Sequence, residues 1–176
     1  MAGHSKWAQI KRKKAVADAH KSREFGKFAR LIASECKRAG GDGSAPSVRT
    51  VVERARAINM PKENIERAIA KGSSADAQAF EPVLFETYGP GGVALVIEGL
   101  TDNNNRTAPE IKHLLSKQGY ELASPGSALW AFTKTHEGYE PTTTVDVGDD
   151  DTEKLEILVE SLEEHDDVQH VYTNAS

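Results

Sequence analysis

The basic head of the chain, KWAQIKRKKA (Lys6–Ala15), holds the residues best suited to bind a partner. It contains five cations, one Trp, one Ile and no acid, although the whole chain has a net charge of −5. Lysine and arginine side chains contact phosphates, and an aromatic ring among them can stack on a base. The segment lacks the apolar face that a membrane-surface helix needs. This composition favours a nucleic-acid contact over the simpler interpretation, which is a solvated basic tail.

The cations continue beyond the basic head into the helices predicted after it. Cations that line one surface can neutralise successive phosphates of a nucleic acid. Trp7 is the predicted stacking residue. The predicted phosphate contacts are Lys6, Lys11, Arg12, Lys13, Lys14, Lys21, Arg23 and Lys27, with Lys62 and Lys71 as secondary contacts.

Charge is divided unevenly between the two halves of the chain. Residues 1–80 contain 17 Lys/Arg and 8 Asp/Glu, for a net charge of +9, whereas residues 81–176 contain 5 and 19, for −14. A polyanion is attracted to the first half and repelled by the second. The charge pattern therefore predicts that the first half contacts nucleic acid.

A polar loop, TDNNNRT (Thr101–Thr107), offers a second place where an anion or a nucleic-acid backbone could bind. It leads into a predicted helix, whose N-terminal end presents N–H groups and a positive dipole. Ordinary helix capping explains the same loop more simply, with Thr107 and Glu110 as a T-x-x-E capping box. The residues of this candidate secondary contact are Asn103, Asn104, Asn105 and Arg106.

The sequence offers no recognisable catalytic or metal-binding constellation. None of its six histidines forms an H-x-x-x-H pair, and no G-x-S-x-G, P-loop or dinucleotide-binding motif occurs. The single cysteine, Cys36, excludes an intrachain disulfide and a cysteine-based metal site. The Asp149–Asp151 run suits the positive end of a helix, and the Gly-rich YGPGG suits a hairpin turn. We therefore predict a non-enzymatic protein without a metal or other cofactor.

The apolar segments are short. No purely apolar run is longer than VALVI (Val93–Ile97), which is far too short to span a bilayer. No apolar region follows the basic head, as it would in a secretory signal. These features predict a soluble, cytoplasmic protein with no membrane partner, and we expect it to be a monomer.

Apolar spacing predicts three short helices in the first half. Phe25, Phe28, Ile32 and Cys36 fall on one face of the first helix. SVRTVVERARAINM and NMPKENIERAIAKG repeat the pattern, and Gly72 is the expected end of the last helix. Because each helix is too short to be stable alone, we expect a three-helix bundle. Residues 5–20 are predicted to form a partly ordered helical arm.

The periodicity changes after a linker of small residues near 72–80. Two strands joined by the Gly/Pro turn are predicted first, then a helix in RTAPEIKHLLSKQG. Strands in SALWAFT and TTTVDV, a helix in DTEKLEILVESLEEH and a strand in DVQHVYT complete the chain. From Val93 onward this β-α-β-β-α-β order is that of a ferredoxin-like domain. The predicted fold class is α+β, with a basic helical domain at 1–76 and an acidic α/β domain at 77–176.

Several long segments resemble the YebC/PmpR family, which includes the mitochondrial translational activator of cytochrome oxidase. The segments are MAGHSKWAQIKRKKA, NMPKENIERAIAKG, YGPGGVALVIEGLTDNNNRTAPEIKHLLSKQGYELASPGSALWAF and DDVQHVYTNAS. The resemblance implies a helical N-terminal domain followed by two α/β domains, the third inserted into the second. It also implies either a DNA-binding transcriptional regulator or a translation factor at the ribosome, acting notably on proline-rich stretches.

The chain departs from the family pattern at one place. Family members carry a further compact domain between the W-x-F strand and the T-T-V strand, where this sequence has only TKTHEGYEP (Thr133–Pro141). A surface hairpin loop is a natural site for losing a domain. We therefore expect the inserted domain to be absent and the βαββαβ unit to be complete.

Three functions are consistent with these observations. The first is a DNA-binding regulator of gene expression, and the second is a ribosome-associated translation factor that binds rRNA and acts on stalled, proline-rich translation. The third is a protein-interaction module that uses the acidic half. DNA and rRNA both offer phosphates, and no motif here reads base edges, so the sequence leaves the two open.

Overall fold

The computed structural model describes residues 18–176, with side chains from residue 20 onward. The described chain folds into two compact units. The helical unit comprises residues up to Glu81 together with Leu100–Asn103, and the α/β unit comprises Pro82–Gly99 and Asn104–Ser176. Among residues 18–176, no helix has the length and apolar character required to cross a bilayer.

The helical unit is a three-helix bundle, as the sequence predicted. Its helices are α1 (Asp18–Arg38), α2 (Pro46–Ala57) and α3 (Lys62–Ser73). Their apolar faces meet in one core, whose buried residues are Ile32, Cys36, Val48, Val51, Val52, Ala55, Met60, Ile65 and Ala68. Gly40 and Gly41 follow α1 at φ 72° and 89°. Glycine adopts this left-handed conformation without strain, which confirms that the two glycines end the helix.

Gly72 has a different role from the one predicted. The sequence suggested that it ends the last helix, but α3 continues to Ser73, and Gly72 is buried inside it. A Cβ atom at this position would lie 2.5 Å from the carbonyl oxygen of Ala33 and 2.7 Å from Cβ of Cys36. Gly72 therefore allows the backbones of α1 and α3 to approach each other closely.

The α/β unit has the predicted order of elements, and the α+β class is confirmed. A three-stranded sheet has the order β1-β2-β5, and β3 and β4 form a separate two-stranded sheet. β2 and β5 are antiparallel. The elements are β1 (Glu81–Tyr88), β2 (Ala94–Thr101), α4 (Asn104–Lys117), β3 (Phe132–Thr135), β4 (Gly138–Pro141), α5 (Asp149–Glu163) and β5 (Val168–Thr173).

The strand pairing differs from a ferredoxin-like sheet. In that fold the third strand of the βαββαβ unit lies beside the first, but here β1 is the second neighbour of β2. β1 and β2 are joined by the short turn that contains Pro90–Gly92, closed by a hydrogen bond from the Gly89 N–H to the Val93 carbonyl (2.8 Å). This local hairpin occupies the edge of β2, and within residues 18–176 β3 and β4 pair only with each other.

Both faces of β2 are covered. Leu95 and Ile97 belong to a core shared with α4 and α5. Ala94 and Val96 face the other way and pack with residues of the β3–β4 region, including Phe132. A strand buried on both faces has no polar alternation. This explains the uninterrupted run VALVI.

One predicted strand is shifted and another is wrong. The strand predicted in SALWAFT begins only at Phe132, as β3, after a short 3-10 turn (Leu129–Ala131), and β4 lies in Gly138–Pro141, where a loop was expected. Gly138, at φ 123°, pairs with Thr135 across a tight turn. The returning strand therefore begins at Gly138, before the segment in which it was predicted. TTTVDV does not form the predicted strand. It lies beside the C-terminal residues, where the Val145 N–H donates to the Asn174 carbonyl (2.9 Å).

Candidate nucleic-acid interface

The predicted contact residues of the basic head lie outside the described part of the chain. They are Lys6, Trp7, Lys11, Arg12, Lys13 and Lys14. The predicted helical arm over residues 5–20 also lies mostly outside it. The described helical unit therefore carries only the second part of the predicted interface.

Three predicted contacts lie on α1. Lys21 is exposed, whereas Arg23 and Lys27 are half-buried and already have interaction partners within the protein. Arg23 and Lys27 are four residues apart, so they share one side of the helix. A phosphate would have to compete with their present partners, whereas Lys21 is accessible as it stands.

Lys62 and Lys71 lie at the two ends of α3 and are both exposed. They are nine positions apart in the sequence, which corresponds to about 13.5 Å along the helix. Lys62 pairs with Glu66 at 3.5 Å, and its side chain is 85% exposed. Such an exposed pair is weak, so Lys62 can turn toward a phosphate at little cost.

The sequence interpretation missed the arginines of α2 and α3. Arg49, Arg56 and Arg67 are exposed, and the Arg54 guanidinium lies 5.6 Å from the ring centre of Phe28. Each of them falls off the apolar stripe of its helix, which in α2 consists of Val48, Val51, Val52 and Ala55. The spacing of that stripe was the available signal for them. With them, each of the three described helices carries exposed cations.

The TDNNNRT loop is built around a buried carboxylate. Asn103, Asn104 and Asn105 are exposed, but Arg106 forms an ion pair with Asp167 (2.8 Å). The helix begins at Asn104, three residues before the predicted cap. The Thr107 hydroxyl donates to Asp167 (2.6 Å). The predicted capping box is therefore wrong, because Thr107 lies inside the helix and not at its N-cap.

Glu110, His165 and Asp167 bring three metal-type ligands within 4.8 Å of one another. The Asp167 N–H donates to Nδ1 of His165 (3.1 Å), so Nε2 carries the proton and donates it to Glu110 (2.8 Å). Asp167 is already neutralised by Arg106. A metal would have to displace both the proton and the arginine. The geometry is that of a hydrogen-bonded ion-pair network.

Glu86 is a second buried carboxylate of the α/β unit. Its side chain accepts hydrogen bonds from the backbone N–H groups of Gly126 (2.6 Å), Ala128 (2.8 Å) and Leu129 (2.8 Å). Burial raises the pKa of Glu86, but the three N–H groups together lower it by more, so it lies below the ordinary value. A carboxylate held in its ionised form in this way fixes a loop and is unsuited to donate a proton in catalysis.

Comparison with known proteins covers nearly the whole chain. Residues 5–75 match the TACO1/YebC protein N-terminal domain, and residues 80–137 and 134–175 match the TACO1/YebC second and third domain. A crystal structure of a conserved hypothetical protein from Aquifex aeolicus is 30% identical, with a TM-score of 0.81. It covers 98% of this chain and 97% of that chain.

Two relatives, both named "Probable transcriptional regulatory protein", extend this similarity. The one from Halothermothrix orenii is 39% identical, over 100% of this chain and 71% of its own length. The one from Thermosipho africanus is 37% identical, over 99% and 93%. The latter alignment spans 235 positions, more than the 176 residues present here, so that relative has residues without a counterpart in this chain. On the matched domains and these identities, the chain belongs to the TACO1/YebC family.

Proposed function

We propose that this protein is a non-enzymatic, nucleic-acid-binding regulator of gene expression, whose helical first half contacts phosphates. The observation that carries the proposal is the division of charge, +9 over residues 1–80 against −14 over residues 81–176. Exposed cations on all three described helices support it. The names of the relatives point in the same direction, because both are described as transcriptional regulatory proteins.

The proposed contact surface combines the basic head with α1 and α3. The head supplies Lys6, Lys11, Arg12, Lys13 and Lys14, with Trp7 as the stacking residue, and the helices supply Lys21, Arg23, Lys27, Lys62 and Lys71. Asn103, Asn104 and Asn105 remain candidate secondary contacts because they are exposed. Arg106 is the weakest member of the proposed set, since Asp167 already binds its guanidinium.

A second candidate is a ribosome-associated translation factor that binds rRNA and acts on stalled, proline-rich translation. The composition of the basic head favours it, because four of its five cations are lysines. Direct base reading in the major groove uses Arg, Asn or Gln side chains with bidentate geometry. Lysine is a point charge that suits phosphates of any nucleic acid.

Competition binding separates the two candidates. Labelled full-length protein bound to ribosomes is challenged with a promoter fragment and with random duplex of equal length. We expect both duplexes to displace the protein from ribosomes equally and weakly, which is the result that the ribosome-associated factor predicts. A promoter fragment that outcompetes random duplex by about a thousandfold, where specific DNA binding begins, would establish the DNA-binding regulator and exclude the ribosome factor.

We also propose that the chain folds as two domains, 1–76 and 77–176, and that the family's inserted domain is missing near 133–141. The two family matches to the second half meet at 134–137, which is the turn of the β3–β4 hairpin. Limited proteolysis should cut between 72 and 80 and release a stable fragment that begins near Glu81. Cuts inside the bundle, with this segment protected, would contradict the boundary.

A further inference from the structure

Two aromatic side chains of the α/β unit are exposed next to each other. Trp130 is 61% exposed and Tyr88 is 38% exposed. The indole Nε1–H of Trp130 donates a hydrogen bond to the Tyr88 hydroxyl (2.9 Å). Leu84, 38% exposed, lies two pleats from Tyr88 on the same face of β1. The α/β unit thus presents a small aromatic surface, formed by Tyr88 and Trp130, that is only partly buried by the rest of the fold.

The aromatic surface is held in place by groups that the fold has buried. The Tyr88 hydroxyl donates to the Ser127 carbonyl. The same loop, from Gly126 to Leu129, is anchored by the three hydrogen bonds to Glu86, which is only 5% exposed. A buried carboxylate thus fixes the loop that displays Trp130.

Ile157 provides a contrast within the same unit. It is 51% exposed on α5, and among the described residues no buried polar group orients its side chain, which is purely apolar. Single exposed apolar residues of this kind are common on protein surfaces and need no explanation. Trp130 differs because its ring is oriented through a chain of hydrogen bonds that runs from Ser127 through Tyr88. Tyrosine and tryptophan, which combine a large apolar ring with a hydrogen-bonding group, are enriched at binding interfaces.

The net charge of the second half, and an acid near the turn after Tyr88, indicate the kind of partner. The turn after Tyr88 packs against the start of α5, where a Cβ atom at Gly91 would lie 3.2 Å from Oδ2 of Asp151. Asp149, Asp150 and Asp151 form the first turn of that helix, and Nζ of Lys154 lies 3.9 Å from Oδ1 of Asp151. Because residues 81–176 have a net charge of −14, a polyanion is repelled from this half. A cation is attracted both by the acids and by the face of an indole ring.

We propose that the Tyr88–Trp130 surface binds a basic segment of a partner protein, with an arginine or lysine of that segment over the Trp130 ring. This site is separate from the phosphate-contacting surface of the helical unit, and neither proposal depends on the other. It would allow the protein to hold a basic protein with one half while the other half contacts nucleic acid.

The fluorescence emission of Trp130 reports whether a peptide binds at this surface. The chain has two tryptophans, so a Trp7→Phe variant leaves Trp130 as the only indole emitter. Addition of an arginine–glycine repeat peptide should change its emission saturably, and a glutamine–glycine peptide of equal length should not. A response of Trp130 to a single-stranded oligonucleotide but not to the arginine peptide would overturn the proposal and assign the surface to nucleic acid.

The contribution of the ring is measured by anisotropy of the labelled arginine peptide on the full chain. Trp130→Ala should weaken binding by about 3- to 30-fold without changing the net charge. Tyr88→Phe, which removes only the hydroxyl that orients the indole, should weaken it less, and Ile157→Ala should leave it unchanged. Equal affinity of Trp130→Ala and the parent protein would mean that the peptide follows the overall acidity of the unit, and the proposal would be wrong.

Discussion

Charged side chains serve different purposes in the two units. In the helical unit several of them are exposed, and Lys62 and Glu66 form only a loose pair at 3.5 Å. In the α/β unit, by contrast, Glu86 and Asp167 are 5% and 1% exposed and accept several hydrogen bonds each. Exposed ion pairs contribute little to the stability of the fold. Removing the hydrogen-bond donors of a buried carboxylate, by contrast, strongly destabilises the folded state. Charges of the first unit are therefore available to a partner, and buried charges of the second maintain the fold.

The largest effect that we predict tests whether the two units are stable separately. Gly72→Leu places a side chain where a Cβ atom alone would lie 2.5–2.9 Å from Ala33 and Cys36. Overpacking against backbone of this kind should destabilise the helical unit by about 3 kcal/mol. Hydrogen exchange should show loss of protection in α1–α3 and unchanged protection in β2 and β5.

Gly26→Ala is the matched control for this substitution. Gly26 also lies inside a helix of the bundle, but a Cβ atom there meets nothing within 4 Å. Replacing a helical glycine in open space should stabilise the unit by about 0.5–1 kcal/mol. Simultaneous loss of protection in both units of Gly72→Leu would contradict the separation.

The next prediction concerns the buried charge of the α/β unit. Glu86→Gln removes the carboxylate that accepts the N–H groups of Gly126, Ala128 and Leu129. Hydrogen bonds to a charged acceptor are strong, so we expect a loss of about 2–3 kcal/mol in the free energy of unfolding at neutral pH. Chemical denaturation monitored by circular dichroism measures it. Glu121→Gln, the same change at an exposed position, should have almost no effect.

The same carboxylate predicts a pH dependence. Burial raises the pKa of Glu86, but its backbone N–H partners lower it by more, so it lies below the ordinary value of 4.5. Below that value the unfolded chain takes up the proton first. The stabilisation is therefore complete above about pH 4.5 and is lost as the pH falls through the pKa of the folded state. Glu86→Gln should flatten this part of the stability profile, and an unchanged profile would assign the acid sensitivity to other groups.

A smaller effect is predicted for Trp7 in the basic head. If its ring stacks on a base, Trp7→Ala should weaken nucleic-acid binding by about 1–3 kcal/mol, with an unchanged melting temperature. Titration of a labelled oligonucleotide, together with thermal denaturation, measures both quantities. A lower melting temperature at unchanged affinity would instead show that Trp7 anchors the chain to its own fold.

Local patterns in the sequence were enough to predict the helical unit. The apolar spacing of Phe25, Phe28, Ile32 and Cys36 fixed α1, and two glycines fixed its end. Gly72 was misread because a helix-ending glycine and a close-packing glycine look alike in sequence. Only the approach of Ala33, 39 residues earlier in the chain, distinguishes them.

The α/β unit was harder to predict because its polar residues act over long distances in the chain. Thr107 looked like a helix cap, but its hydroxyl bonds Asp167, 60 residues away. The buried role of Glu86 could not be predicted from its sequence neighbours, because the three N–H groups that it binds lie 40–43 residues further along the chain. The order of the strands in the sheet was predicted wrongly for a similar reason. Either β1 or a strand of the β3–β4 hairpin could pair with the edge of β2, and no local pattern in the sequence distinguishes the two pairings.

The central claim, that nucleic acid binds the cations of the first half, is tested most directly by the salt dependence of binding. If about six phosphates are neutralised, the slope of log K against log salt on duplex DNA should be near −5. Changing Lys11, Arg12, Lys13 and Lys14 together to alanine should flatten this slope by about 3–4 units. The control changes four exposed lysines of the acidic half to alanine, with the same loss of charge: Lys112, Lys117, Lys134 and Lys154. The account predicts an unchanged slope for this control. Equal flattening in both variants, or flattening only in the control, would contradict it.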